Sequence, residues 1–263
     1  MTHDYKTILY EETGGVATIT LSRADKRNAI SYELIDDLLA AFNRAAQSPA
    51  QAVILTGAGK AFCAGMDLEN LQQLTGRTHE QNLKDSETMG ALFLTLYDFP
   101  KPTIAAVNGA AVAGGTGLAT LCDFTLAVPE AKFGYTEVRI GFVPAIVSGF
   151  LITNIGEKRA RDLLLTGRIF SAQEAHTLGL VNEIVAPEQL LVRANELAAQ
   201  LMENSPASLR ATKSLLSSFA REEMDRRVQL AVRENAAIRQ TADFKEGIAS
   251  FLEKRKPAWT VKS

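Results

Sequence analysis

Two glycine-dense turns and one glutamate hold the residues of this chain that could do chemistry. Asn108–Gly117 (NGAAVAGGTG) follows the apolar run Thr103–Val107, and Gly57–Leu68 (GAGKAFCAGMDL) follows the apolar run Ala52–Thr56. Runs rich in Val, Ile and Ala that stop at glycine read as buried strands entering turns. Gly114 and Gly115 stand where a helix through Leu121 should begin, so their N–H groups lack intrahelical partners. Such groups suit an anion or a polarised carbonyl oxygen. A tight strand-to-helix turn explains the first cluster on its own. A second unit of the same design lets each aim one backbone N–H at a shared oxygen.

Glu137 lies in YTEVRIG, with Val138 and Ile140 behind it. A carboxylate set against apolar walls has its pKa raised by desolvation, which suits proton transfer near neutrality. The alternative is an exposed loop glutamate paired with Arg139. Asp67 reads as a brace for its loop, and Asp123 as an anchor between helix and strand. The three histidines, His3, His79 and His176, have no nucleophile-elbow motif beside them, which sets serine-hydrolase chemistry aside. No Cys or His spacing suggests zinc, and neither a GxxxxGK[ST] phosphate loop nor a GxGxxG fingerprint is present. Neither a metal nor a bound cofactor is expected.

The elements that must position these groups follow from periodicity. Tyr5–Glu12 and Val16–Leu21 alternate about Gly14-Gly15 as a hairpin. Arg23–Asn28 is a polar loop, and Ser31 N-caps a helix whose core face is Leu34, Ile35, Leu38, Leu39 and Phe42. The stretch holding Gly76, Thr78 and His79 has few apolar anchors and reads as a candidate mobile lid. Met89, Leu92, Phe93 and Leu96 mark a helical stripe after it. Ala145–Ile155 and Gly156–Gly167 read as helices, Ser171–Glu174 as a capping box, and Val181–Val185 as a short strand. From Pro187 the pattern is helical. Leu209, Thr212, Leu215, Leu216 and Phe219 mark one apolar face of this tail, Val228, Leu230, Ala231 and Ile238 a second, and Phe244, Ile248, Phe251 and Leu252 a third.

A chain of 263 residues can bury one core with an appendage. A net charge of −2 leaves no broad basic face for nucleic acid. No apolar run approaches the roughly 18–20 residues that span a bilayer, so no membrane partner is expected. The opening residues lack a signal-peptide pattern, and the two cysteines, Cys63 and Cys122, fit a reducing cytosol.

KAFCAGMDL together with AAVNGAAVAGG resembles the paired signatures of the enoyl-CoA hydratase/isomerase (crotonase) superfamily, and the likeness runs from RADKRNAIS to FLEKRKP. The resemblance implies an α/β fold: a spiral of repeated ββα units over residues 1–203, then an all-helical oligomerisation region over residues 204–263 that builds trimers or hexamers. It implies an acyl-CoA thioester as substrate. The oxyanion donors would be the N–H groups of Met66 and Gly114, and Glu137 the catalytic carboxylate. CoA phosphates would fall to Lys26 or Arg27, the adenine to backbone around Ala61, Cys63 and Ala64, and a further contact to Lys254 or Lys256.

One departure bears on the activity. Hydratases of this family use two glutamates, and the position of the first, three residues after Gly114, holds Gly117. Isomerases that move a proton between C2 and C4 resemble this chain in keeping only the Glu137 equivalent. The segment after Glu137 also departs, with Val143-Pro144-Ala145-Ile146-Val147-Ser148 in place of a glycine-rich run. TEVRIGFVPAIVS is similar to a bacterial subgroup of hydratases of branched, methylglutaconyl-type CoA esters, tied to leucine or isoprenoid breakdown. Enoyl-CoA hydratase is therefore the expectation. A Δ3-Δ2 isomerase and a non-catalytic acyl-CoA-binding protein are the alternatives.

Overall fold

The structure, a computed structural model, describes residues 4–260, so His3 lies outside the described residues. A hairpin of β1 (Ile8–Thr13) and β2 (Val16–Leu21) opens the chain, turning at Gly14 and Gly15. Helix α1 (Tyr32–Gln47) follows, its N-terminus capped by Ser31 Oγ accepting from Leu34 N. Three turns of one plan come next. Strands β3 (Ala52–Gly57) and β4 (Ala61–Cys63) lead into α2 (Leu68–Leu74) and α3 (His79–Tyr97). Strands β5 (Thr103–Val107) and β6 (Ala110–Val112) lead into α4 (Gly114–Leu121). Strands β7 (Phe124–Ala127) and β8 (Lys132–Gly134) lead, through a 3-10 turn at Glu137–Ile140, into α5 (Ala145–Ile155) and α6 (Glu157–Thr166). The remainder is β9 (Ile169–Ser171), α7 (Ala172–Leu178), β10 (Glu183–Ile184), then α8 (Leu190–Met202), α9 (Pro206–Phe219), α10 (Arg221–Ile238) and α11 (Ala242–Leu252).

The first strand of each turn joins a six-stranded sheet ordered β1-β2-β3-β5-β7-β10, and the second joins a four-stranded sheet ordered β4-β6-β8-β9. All neighbours from β2 to β10 in the larger sheet are parallel. Parallel strands covered on both faces read as continuous apolar runs rather than alternating ones, and β3 and β5 are buried throughout. This is the spiral of ββα units expected from the family likeness.

Three expectations need correction. The stretch expected to lack apolar anchors is held on both sides: Leu71 and Leu74 bury one side of α2, a turn runs through Gly76, and a reciprocal box between Thr78 and Gln81 starts α3 well before Met89. The apolar pattern is silent there because α3 buries polar side chains, among them Asn82, Asp85 and Ser86. At α7 only half of the expected box forms; Ser171 Oγ accepts from Glu174 N, while the Glu174 carboxylate turns to Arg168. In the tail, Val228 and Ala231 are buried but Leu230 is exposed, because α10 turns the first two towards α3 and α5. Helix α9 buries no residue in this chain, and Lys213 ties it down by donating to Lys101 O at 2.8 Å and to Asp123 Oδ2 at 2.5 Å.

Candidate active site

Strands β4, β6 and β8 lie side by side in parallel, Ala61 opposite Ala110 and Ala111 opposite Phe133. Their C-terminal ends therefore share one edge of the small sheet, with neighbouring strands about 4.8 Å apart. Met66, Gly114 and Glu137 follow those three ends within two or three residues. Sheet order thus brings together groups that are far apart in the chain.

Each donor is freed by a local device. Ile30 N donates to Gly65 O at 2.7 Å and Asp67 N donates to Ile30 O at 2.9 Å. This bridge uses the groups on either side of Met66 and leaves its own N–H turned away. Around the bridge, Asp67 Oδ1 accepts from Glu69 N and Oδ2 from Arg23 Nη2, so Asp67 braces the loop as expected. Gly114 opens α4, where an N–H has no intrahelical partner. Among the described residues neither N–H finds an acceptor. Ala113, just before it, has φ 51° and ψ −123°, a conformation costly for a residue with a Cβ. Gly115 must be glycine for a different reason: a Cβ there would lie 2.2 Å from Cys63 O.

Glu137 is 9% exposed, and its Oε2 is buried with no hydrogen-bond partner. Burial pushes its carboxyl up to about 7. The exposed pairing with Arg139 is not formed. A cavity of about 430 Å³ joins the three groups, walled by Phe93, Ile146 and Val147. Two free N–H donors and one desolvated carboxyl around one cavity can polarise a carbonyl and move a proton beside it.

At Gly117 a Cβ would lie 2.6 Å from both Phe93 Cε1 and Val147 Cγ1. The place of a second carboxylate is filled by a ring and a methyl group.

The residues expected to hold CoA divide. Ala64 lines the cavity, whereas Ala61 and Cys63 are buried in β4. Glu69 already holds the Lys26 ammonium at 3.0 Å, while Arg27 is exposed. Lys254 is exposed just beyond α11; it is Arg255 and Pro257 that line the cavity. Sequence reading missed Asn235 and Arg239, which also line it. Their signal was present: an Asn within the buried face of α10 and an Arg four residues on, at the C-cap of that helix.

The pattern of the enoyl-CoA hydratase/isomerase family matches residues 11–262. A Thermus thermophilus protein provisionally named an enoyl-CoA hydratase is 48% identical over 247 residues, covering 94% of this chain and 98% of its own. The crotonyl-CoA hydratase of Syntrophomonas wolfei is 32% identical over 259 residues, with 96% of this chain and 97% of its own covered. A crystal structure of an enoyl-CoA hydratase/isomerase from Xanthobacter autotrophicus aligns with a TM-score of 0.89 at 29% identity, covering 98% of this chain and 100% of that one. Likeness of sequence and of fold over nearly the whole length, on a site with two free N–H donors and a buried glutamate, has one reading: this chain belongs to the enoyl-CoA hydratase/isomerase family.

Proposed function

We propose that the chain adds water across the 2,3 double bond of a 2-enoyl-CoA thioester. The observation that carries this is the buried, unpartnered Glu137 carboxyl on the sheet edge that also presents the Met66 and Gly114 N–H groups. The thioester oxygen accepts from both donors, each typically contributing about 3–4 kcal/mol to a transition state that builds charge on that oxygen. Ionised Glu137 takes a proton from water as the water oxygen bonds to C3, and the electron pair of the double bond moves onto the thioester as an enolate. The same carboxyl then returns a proton to C2. One carboxylate thereby does both transfers and ends as it began. Glu137→Gln should lower hydration of crotonyl-CoA by orders of magnitude and leave ester binding nearly intact. Equal rates in variant and wild type would reject the reading.

The filled space at Gly117 favours one second reading, Δ3-Δ2 isomerisation, in which Glu137 moves a proton between C2 and C4 without water. It requires conversion of a 3-enoyl-CoA with no uptake of labelled water oxygen. Dominant 3-hydroxyacyl-CoA from the 2-enoyl ester rejects it. A desolvated carboxyl near neutrality speaks against a chain that only binds esters.

For the CoA arm, the proposal keeps Lys26 or Arg27 at the phosphates and the Ala61–Ala64 backbone by the adenine, with Lys254 as a peripheral contact. Lys26→Ala and raised salt should weaken CoA esters far more than a pantetheine thioester. Assembly as a trimer or hexamer is proposed through α9, whose Leu215, Leu216 and Phe219 side chains are exposed in this chain. Among the described residues no helix is long and apolar enough to cross a membrane. A reducing cytoplasm is proposed on the two free thiols.

A further inference from the structure

Helix α11 carries a glycine, Gly247, in its interior, where alanine is ordinarily the better helix former. Nothing larger fits there. A Cβ on Gly247 would lie 2.1 Å from Ile140 O and 2.9 Å from Gly141 N. The fit is reciprocal, since Gly141, at φ 64°, would place a Cβ 2.3 Å from Asp243 O. Ile140 ends the 3-10 turn that begins at Glu137, and Gly141 caps it. Two glycines thus let backbone meet backbone, and α11 sits directly on the turn that carries the carboxyl.

The same helix reaches the loop of the first N–H donor. Phe244 and Ile248 of α11 form a small core with Leu71 and Leu74 of α2, apart from the main one, and Met66, Ile140 and Phe142 pack against it. The Phe142 and Phe244 rings lie 5.2 Å apart between centroids. Phe142 N donates to Glu137 O at 3.0 Å, so the ring moves with the turn. One helix therefore bears on the donor loop after β4 and on the carboxyl turn after β8.

Charge does not explain the carboxyl's environment. Arg139, Arg239 and Arg255 share its cavity, and Tyr135 is buried two residues before it. Helix α6 also packs on the turn, but its charged side chains are exposed, as are those of α11 apart from Glu246, which Arg255 holds. Burial is what lifts Glu137, so whatever keeps water off the turn sets its acidity.

We propose that Gly247 is a positioning residue for Glu137: it seats α11 on the turn, and that seat keeps the carboxyl dry and in register with the Met66 donor. The inference rests on the reading of Glu137 as the acid and base of the reaction.

Gly247→Ala drives a methyl group against Ile140 O, so helix and turn must part. One readout needs no turnover. Above neutrality, the stability gained on replacing Glu137 by Gln measures how dry the carboxyl is; in a Gly247→Ala background urea denaturation should find that gain reduced by about half or more. The other is kinetic. For crotonyl-CoA, kcat should fall about ten- to a hundredfold with KM nearly unchanged, and the pH midpoint of kcat/KM should move down towards the ordinary carboxyl value. Leu190→Ala, a truncation of α8 in the main core, should lose stability and move neither readout. If Gly247→Ala does not fold, Ile248→Ala loosens the same seat without a clash, and both readouts apply to it. An unchanged gain overturns the assignment whether or not the chain hydrates, and a reduced gain with undiminished kcat overturns it too. A reduced gain in a chain whose wild type does not hydrate supports the seat and counts against the hydratase reading alone.

Discussion

A Cβ on Gly117 would lie 2.6 Å from Phe93 Cε1, closer than side chains tolerate. Phe93 is 1% exposed and belongs to the main core, so its ring cannot swing aside into solvent. Gly117→Glu should therefore destabilise the fold by about 3 kcal/mol through overpacking and should not speed hydration. Gly117→Glu combined with Phe93→Ala should recover part of the loss. Urea denaturation of both variants measures this, and an unperturbed single variant would show that the pocket can open.

Burial lifts the Glu137 carboxyl from an ordinary 4.5 to about 7. Between those values the folded chain keeps a proton that the unfolded chain releases, so this group lowers stability as pH rises through that window. Glu137→Gln removes the penalty. The variant should exceed wild type by about 3 kcal/mol above neutrality and show no advantage near or below the ordinary carboxyl pKa. Denaturation curves at the two ends of the window test the sign. A variant less stable than wild type in alkali would contradict a desolvated carboxylate.

On the proposed mechanism the same titration sets the rate. Glu137 must be ionised to take a proton from water, so kcat/KM for hydration should rise with pH through about 7 and then level. A flat profile across that range would remove Glu137 from the proton-transfer step.

Ala113 holds φ 51° immediately before the Gly114 donor. Relief of that strain is worth about 1–3 kcal/mol, against about 0.5–1 kcal/mol for the extra freedom of an unfolded glycine. Ala113→Gly should thus raise the urea midpoint modestly and keep activity. A lowered midpoint would mean that the Ala113 methyl packs more usefully than its backbone is strained.

Leu215, Leu216 and Phe219 are 55%, 60% and 75% exposed along α9. Light scattering should find wild type as a trimer or hexamer at micromolar concentration, and Leu216→Asp with Phe219→Asp should yield monomers. Monomeric wild type would refute assembly through this helix.

The parallel core was legible because β3 and β5 are continuous apolar runs bounded by glycine, and the donors because glycine clusters follow such runs. Glu137 was legible as a residue, but only the fold shows that Val138 and Ile140 belong to a turn that buries it rather than to a loop in water. The start of α3 and the polar end of the cavity were hidden for one reason. Asn82, Asp85, Asn235 and Arg239 hydrogen-bond one another between α3 and the end of α10, and a single sequence does not show the pairing that gives their spacing its meaning. Gly117 was seen as an absence; that Phe93 and Val147 fill its space required the packing.

The three groups proposed to react ride on three successive ββα turns, and this would fix when the catalyst comes into being. A nascent or refolding chain that has not yet set β8 beside β6 owns both hydrogen-bond donors and no acid or base. Pairing between strands distant in sequence forms slowly, since closing long loops costs entropy before contacts repay it. Turnover therefore cannot precede the pairing of β8 with β6, and regain of activity after dilution from denaturant is a clock for that docking event.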